Sequence, residues 1–142
     1  TRICLATGAR WGEAENLQLR HIQEGKLTFV TTKSGKSRSV PVSKELFEEI
    51  RKHLKNHGYF SFSLSAFRRA LDRTDINFPS GQAAHVLGHT FASHFIMNGG
   101  DILSLQKILG QSTIAMTMRY SHLSADHLKD AISKSPMSNL AS

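Results

Sequence analysis

Cysteine occurs once in this chain, as Cys4, and that scarcity excludes two classes of small domain. No disulfide can close within the chain, and no zinc site built on thiolates is available. Lying in an apolar run, Cys4 is expected to be a small buried side chain. Long hydrophobic runs are missing too. No segment approaches the ~20 apolar residues of a membrane span, so no membrane partner is expected. No signal peptide is visible. The chain starts at Thr1 rather than Met, which leads us to expect a piece of a longer protein, and an intracellular home is the default expectation. Acidic residues are the minority charge: 11 Asp and Glu stand against 18 Lys and Arg, giving +7 with neutral histidines. That balance favours polyanions, nucleic acid ahead of a lipid surface, because phosphates reward clustered cations. A merely solubilising surface charge is the other reading. Tyrosine is rare, with Tyr59 and Tyr120 the only two, so any role for a phenol falls on few candidates.

What is present suffices for one domain with a core: 142 residues, 39% hydrophobic and 20% charged. Residues 1–20 read as helical, interrupted at Gly8, with Thr7 or Gly8 opening a second helix that carries Arg10, Glu13, Leu17 and Leu19. Leu27-Thr28-Phe29-Val30-Thr31-Thr32 is β-branched and aromatic, as strands are, and Ser39-Val40-Pro41-Val42 is a second short strand. Lys33-Ser34-Gly35-Lys36 supplies the turn, so the pair reads as a hairpin with Lys33, Lys36 and Arg38 at its basic tip. Pro41 suits an edge strand, since it cannot donate to a ladder.

Ser43 caps a helix over about 44–57, with Leu46, Phe47, Ile50 and Leu54 on one face and Gly58 as its stop. A helix over about 64–73 turns Leu64, Phe67 and Leu71 inward and Arg68, Arg69 and Arg73 outward, before a loop at Pro79-Ser80-Gly81. Helices follow over 83–97 and from Asp101 to Leu109, then a segment from Ser112 or Thr113 towards Tyr120. Ser124 caps a last helix over about 125–134, and the tail from Pro136 is small and polar. The fold class expected is mainly α with a small antiparallel β-sheet (α+β) of two or three strands. No internal repeat or low-complexity stretch interrupts it.

Four dispersed polar stretches carry chemistry: Thr7-Gly8-Ala9-Arg10-Trp11-Gly12-Glu13, the hairpin tip, His85-Val86-Leu87-Gly88-His89-Thr90, and Leu109-Gly110-Gln111 with Tyr120 ten residues after that glycine. Breaking and rejoining a DNA strand without hydrolysis needs such residues. A phenol can attack phosphorus and later leave. Arginine pairs two phosphate oxygens at once. Histidine and lysine move protons. Each residue alone has a plainer reading: a half-buried tyrosine, a surface arginine, a surface ion pair of Arg10 with Glu13.

Together, over about residues 5–132, these stretches resemble the catalytic domain of the tyrosine recombinase (phage integrase) family, most like temperate-phage integrases. The resemblance implies site-specific DNA recombination and integration through a 3′-phosphotyrosine intermediate, with no cofactor and no metal. It implies Arg10 as the first phosphate clamp, Glu13 as its structural companion, and Tyr120 as nucleophile. Lys33 would protonate the leaving 5′-oxygen, with Lys36 as its rival, and His85 would assist proton transfer. His89 would support the helix rather than react, and His122 would pack. Lys36, Arg38, Arg68, Arg69 and Arg119 complete the expected DNA contacts.

Two positions depart from the family pattern. Gly88 stands where His-x-x-Arg requires the second clamping arginine, at about 1 kcal/mol against alanine inside a helix. Gln111 replaces the usual His or Trp and retains a donor. Gly88 leads us to expect impaired cleavage with DNA binding kept; the alternative is that Arg119, Arg68 or Arg69 reaches the phosphate instead.

The resemblance further implies a catalytic domain over 1–135 without the N-terminal DNA-binding domain; the small, polar composition of 136–142 leads us to expect a flexible tail. It implies double-stranded attachment-site DNA as partner and a tetramer in the DNA synapse through the C-terminal region, with Leu123, Leu128 and Ile132 as the contact face. The location implied is the cytoplasm of a bacterial host, for a phage or prophage product. Other readings are a non-catalytic DNA-binding relic or regulator, a zinc hydrolase built on His85, His89 and His94, and a helical protein–protein adaptor. The zinc reading lacks a glutamate base, because Val86 occupies its position.

Overall fold

A computed structural model describes residues 1–30, 36–79, 81–124 and 130–139. The first helix, α1 (Arg2–Thr7), stops where Gly8 adopts φ 67° and returns its N–H to the Cys4 carbonyl. The Thr7 hydroxyl accepts the Ala9 N–H, and the chain turns into α2 (Trp11–Glu15) with Arg10 at its N-cap. This second helix is shorter than the sequence suggests. The Asn16 side chain donates to the Gly12 carbonyl, the helix ends there, and Leu17 drops beyond it into the core.

The sheet has three antiparallel strands in the order β1 (Ile22–Gln23), β2 (Lys26–Val30), β3 (Ser37–Pro41). Leu27 pairs with Val40 and Phe29 with Arg38, and the period of two sends Leu27 and Phe29 to the buried face. Pro41 does end an edge strand. Residues 31–35 of the expected hairpin tip, Lys33 among them, lie outside the described residues.

Against the sheet lies α3 (Lys44–His57). Ser43 accepts the Leu46 N–H at its start, and Gly58, at φ 79°, closes it onto the Leu54 carbonyl. Leu46, Ile50 and Leu54 recur every four residues and bury one stripe against Leu17, Ile22, Leu27, Phe29 and Val40. Each such side chain contributes about 1.5–3 kcal/mol of transfer free energy. A second cluster joins Cys4, Trp11, Ala14 and Leu87 to Phe67 of α4 (Leu64–Leu71), with the Trp11 and Phe67 rings stacked at 4.7 Å. A third holds Ala92 and Ile96 of α5 (Ala83–Met97), Leu105 of α6 (Ile102–Leu109), and Tyr120.

Tyr120 follows α7 (Ile114–Met118) and precedes a 3₁₀ turn over Ser121–Leu123. Leu123 packs on its own domain, whereas His122 is exposed rather than packed. The last helix, α8, is described over Asp130–Ser133, with Ile132 81% exposed; Leu128 lies outside the described residues. Pro136–Asn139 form a 3₁₀ turn, held where the Ser138 N–H and hydroxyl both bond the Ser135 carbonyl.

The sharpest steric demand is at Gly8. A Cβ there would lie 2.6 Å from Leu109 Cδ2 and 2.7 Å from Phe91 Cδ1, in a left-handed backbone. Gly8→Ala is expected to cost about 2 kcal/mol, combining the left-handed penalty with overpacking, as a lower urea midpoint with unchanged slope.

Candidate active site

Arg10 owes its setting to Glu13. The Glu13 carboxylate accepts the Arg10 backbone N–H at 2.9 Å and so fixes the start of α2. Its stronger partner is Arg38, whose Nη1 and Nη2 donate to the two carboxylate oxygens at 2.8 and 2.7 Å. Arg38 Nε donates to the Ile108 carbonyl at 2.7 Å, near the C-terminal end of α6 where a cation is favoured. Both side chains of this pair are 10% exposed. Burial pushes the Glu13 carboxyl up, but the Arg38 hydrogen bonds, the Arg10 N–H and the two positive charges outweigh it and hold it below its ordinary value. Arg38, expected as a DNA contact, lines the same cavity as Arg10 and Lys36 while holding Glu13 and the Ile108 carbonyl. Each guanidinium nitrogen is spent on tying β3, α2 and α6 together.

Because Glu13 is engaged by Arg38, Arg10 keeps only a 3.9 Å contact to it, and its side chain stays 60% exposed. The guanidinium borders a cavity of about 720 Å³ between the β3 edge and the α6–α7 corner, shared with Lys36, Lys107, Gln111 and Ser112. Lys107 is not marked by any motif. Its only signal in the sequence is a basic residue three positions before the helix-ending Gly110. Gln111 is pinned at one end: its Oε1 accepts the hydroxyl of the fully buried Thr117 at 2.6 Å, which leaves the amide N–H groups as donors.

The nucleophile candidate is buried. Tyr120 is 7% exposed, packed on Ala92, Ile96 and Leu105, with the Arg119 guanidinium 5.7 Å from its ring centroid. Its hydroxyl lies 2.5 Å from His89 Nδ1. His89, expected to support the helix, is carried by α5 one turn past the exposed His85 and set on the phenol. Burial raises the Tyr120 phenol above its ordinary value, with Arg119 pulling the other way. Burial, Arg119 and His85 lower the His89 imidazole. A neutral phenol thus meets a neutral imidazole.

Gly88 sits one residue before His89, where α5 crosses α1. A Cβ there would meet only the Gly8 carbonyl, at an ordinary 3.7 Å, so the fold does not require glycine. The exposed Arg68 borders a separate depression with Leu71, Asp72 and Thr74, and Arg69 is exposed beside it on α4. Among the described residues no group of three or more His, Cys, Asp and Glu side chains could hold a metal ion, and none of the helices is long and apolar enough to cross a membrane.

The model of the phage integrase family matches residues 1–127. The integrase of Escherichia phage 186 is 54% identical over 136 residues, covering 96% of this chain and 40% of the relative. The integrase of Haemophilus phage HP1 is 54% identical over 140 residues, covering 99% and 41%. The chain thus spans about two fifths of the length of these relatives. The solved catalytic domain of bacteriophage HP1 integrase has the same fold, with a TM-score of 0.87 and 49% identity over 99% of this chain and 83% of that one. With the matched stretch running from α1 past Tyr120, the chain belongs to the phage integrase family.

Proposed function

We propose that this chain is the catalytic domain of a site-specific recombinase that cuts and rejoins DNA through a 3′-phosphotyrosine. The observation that carries the reading is the pairing of the buried Tyr120 hydroxyl with an imidazole, on a molecule whose Arg10 guanidinium stands exposed over a basic cavity. The other tyrosine, Tyr59, is 68% exposed. Tyr120 attacks phosphorus; Arg10 holds the non-bridging oxygens; Lys33 protonates the departing 5′-oxygen; His85 assists proton transfer with the tyrosine. Lys36 and Lys107 extend the positive field over the cavity, with Arg119 beside the nucleophile. The net charge of +7 favours DNA as the partner. The exposed Ile132 supports self-association through the C-terminal region into the tetramer that joins two attachment sites. The setting proposed is the cytoplasm of a bacterial host.

Gly88 favours a second reading, in which the chain binds DNA without cutting it. A suicide substrate carrying a nick beside the scissile phosphate separates the two. The recombinase reading expects a covalent protein–DNA adduct that Tyr120→Phe abolishes without changing DNA affinity. Binding with no adduct from the unaltered chain, even over long incubation, would establish the regulator reading instead.

A further inference from the structure

We propose that Thr117 is a positioning residue for phosphate binding: its buried hydroxyl holds the Gln111 side chain with the amide N–H groups turned to the anion that enters the cavity. The inference rests on the recombinase reading above.

Thr117 is an unexpected residue to bury. The short helix α7 leaves Ile114, Met116 and Met118 exposed and takes Thr117, its one hydroxyl, fully inside. A hydroxyl taken out of water must find a partner. Thr7 and Thr90 meet that need within their own helices, donating to the carbonyls of Ile3 and Val86, four residues back. Thr117 instead gives its single proton to Gln111 Oε1 at 2.6 Å.

The same residue reaches the nucleophile, because its carbonyl accepts the Tyr120 N–H at 3.0 Å. One buried residue thus ties the Gln111 side chain to the backbone that carries the phenol. The Gln111 backbone is held separately. Its N–H donates to the Gln106 carbonyl at 3.1 Å, and its own carbonyl accepts Gln106 Nε2 at 3.3 Å. With the backbone fixed, the freedom that matters is which end of the amide faces the cavity.

Gln111 lines that cavity with Arg10, Lys36 and Lys107. Before substrate binds, a field of cations draws the amide oxygen towards itself, since oxygen is the negative end of the amide dipole. An oxygen left there would meet the phosphate acceptor to acceptor. The Thr117 proton opposes that turn, because Oε1 can accept it and the NH₂ group cannot. The alternative is the reversed amide, with an N–H donating to the Thr117 oxygen and Oε1 on the cavity.

Thr117→Val keeps the shape and removes the donor, whereas Thr117→Ser keeps the donor. Covalent DNA capture by Thr117→Val is expected to fall by about 10²-fold, the cost of a misplaced group, and Thr117→Ser to retain most of the parent rate. The double variant separates positioning from structural support. In a Gln111→Ala background, Thr117→Val should slow capture no further. Losses that multiply would overturn the proposal, because Thr117 would then act without Gln111.

The second arm needs no cleavage. In the ¹⁵N-labelled chain, the Gln111 side-chain NH₂ signals are assigned by their loss in Gln111→Ala. They are expected to move as sulfate is added, and to stay in place in Thr117→Val. Signals that sulfate leaves unmoved in the unaltered chain, or moves equally in Thr117→Val, overturn the proposal. If the unaltered chain forms no adduct, the recombinase reading fails, while this titration still decides which end of Gln111 meets the anion.

Discussion

Gly88→Arg is expected to raise the rate of covalent DNA capture by about 10²–10³-fold, the usual worth of one preorganised donor aimed at developing charge. The geometry makes the substitution feasible. The position points at the Gly8 carbonyl with an ordinary 3.7 Å of clearance, and Gly8 lies two residues before Arg10. An arginine placed there lies three residues after His85 on α5 and is expected to reach towards Arg10. It also removes a glycine from a helix interior, worth about 1 kcal/mol. Against that gain, two guanidinium groups now repel each other until an anion arrives. The variant should therefore differ little from the parent in low-salt thermal melts and gain more from added sulfate. One further phosphate contact should steepen the salt dependence of DNA binding by about 0.9 in logarithmic slope. Capture no faster than that of the parent would show that the clamp is not what limits this chain.

Much of the fold is legible in the sequence because local signals agree with the packing they serve. Ser43, the Leu46, Ile50, Leu54 stripe and Gly58 mark both ends and the buried face of α3 by residue type and spacing alone. The alternation at Leu27 and Phe29 likewise marks a half-buried strand. Arg10 and Tyr120 are legible for a different reason: their spacing matches a family pattern. What stays hidden are partnerships across sequence distance. Arg38 reads as one more cation near a basic turn, and only the fold brings it to Glu13, 25 residues earlier, and to the Ile108 carbonyl, 70 residues later. Helical spacing places His85 and His89 on one face. It cannot say which of them meets a tyrosine 31 residues beyond His89. Lys107 has no motif at all; it belongs to the cavity because α6 ends beside the β3 edge.

Arg38→Ala is expected to destabilise the domain by about 3–5 kcal/mol, because it strands a buried carboxylate. Glu13 is 10% exposed and would lose both hydrogen bonds from Arg38. Thermal unfolding should move down by on the order of 10 °C in a chain of this size. The pH dependence carries the diagnosis. In the parent, Glu13 is held below its ordinary value of 4.5, so its contribution is full above that value and is lost as pH falls through the folded-state pKa. In Arg38→Ala, burial is no longer opposed by Arg38, and the Glu13 pKa rises. The carboxyl then favours the folded state at low pH and disfavours it as pH climbs. The stability gap between parent and variant should thus be widest above about pH 5 and narrow on acidification. Adding Glu13→Gln to Arg38→Ala should recover part of the loss at neutral pH, since no charge is left buried; a double variant no more stable than Arg38→Ala would point to lost packing over Phe29 instead. Function should suffer beyond stability. Without Arg38, Glu13 is free to draw in the Arg10 guanidinium, now 3.9 Å away, and a clamp paired to its own carboxylate is a weaker clamp for phosphate. The folded fraction of Arg38→Ala should therefore bind DNA less tightly than the parent, with the smaller salt slope of a protein that has lost a phosphate contact.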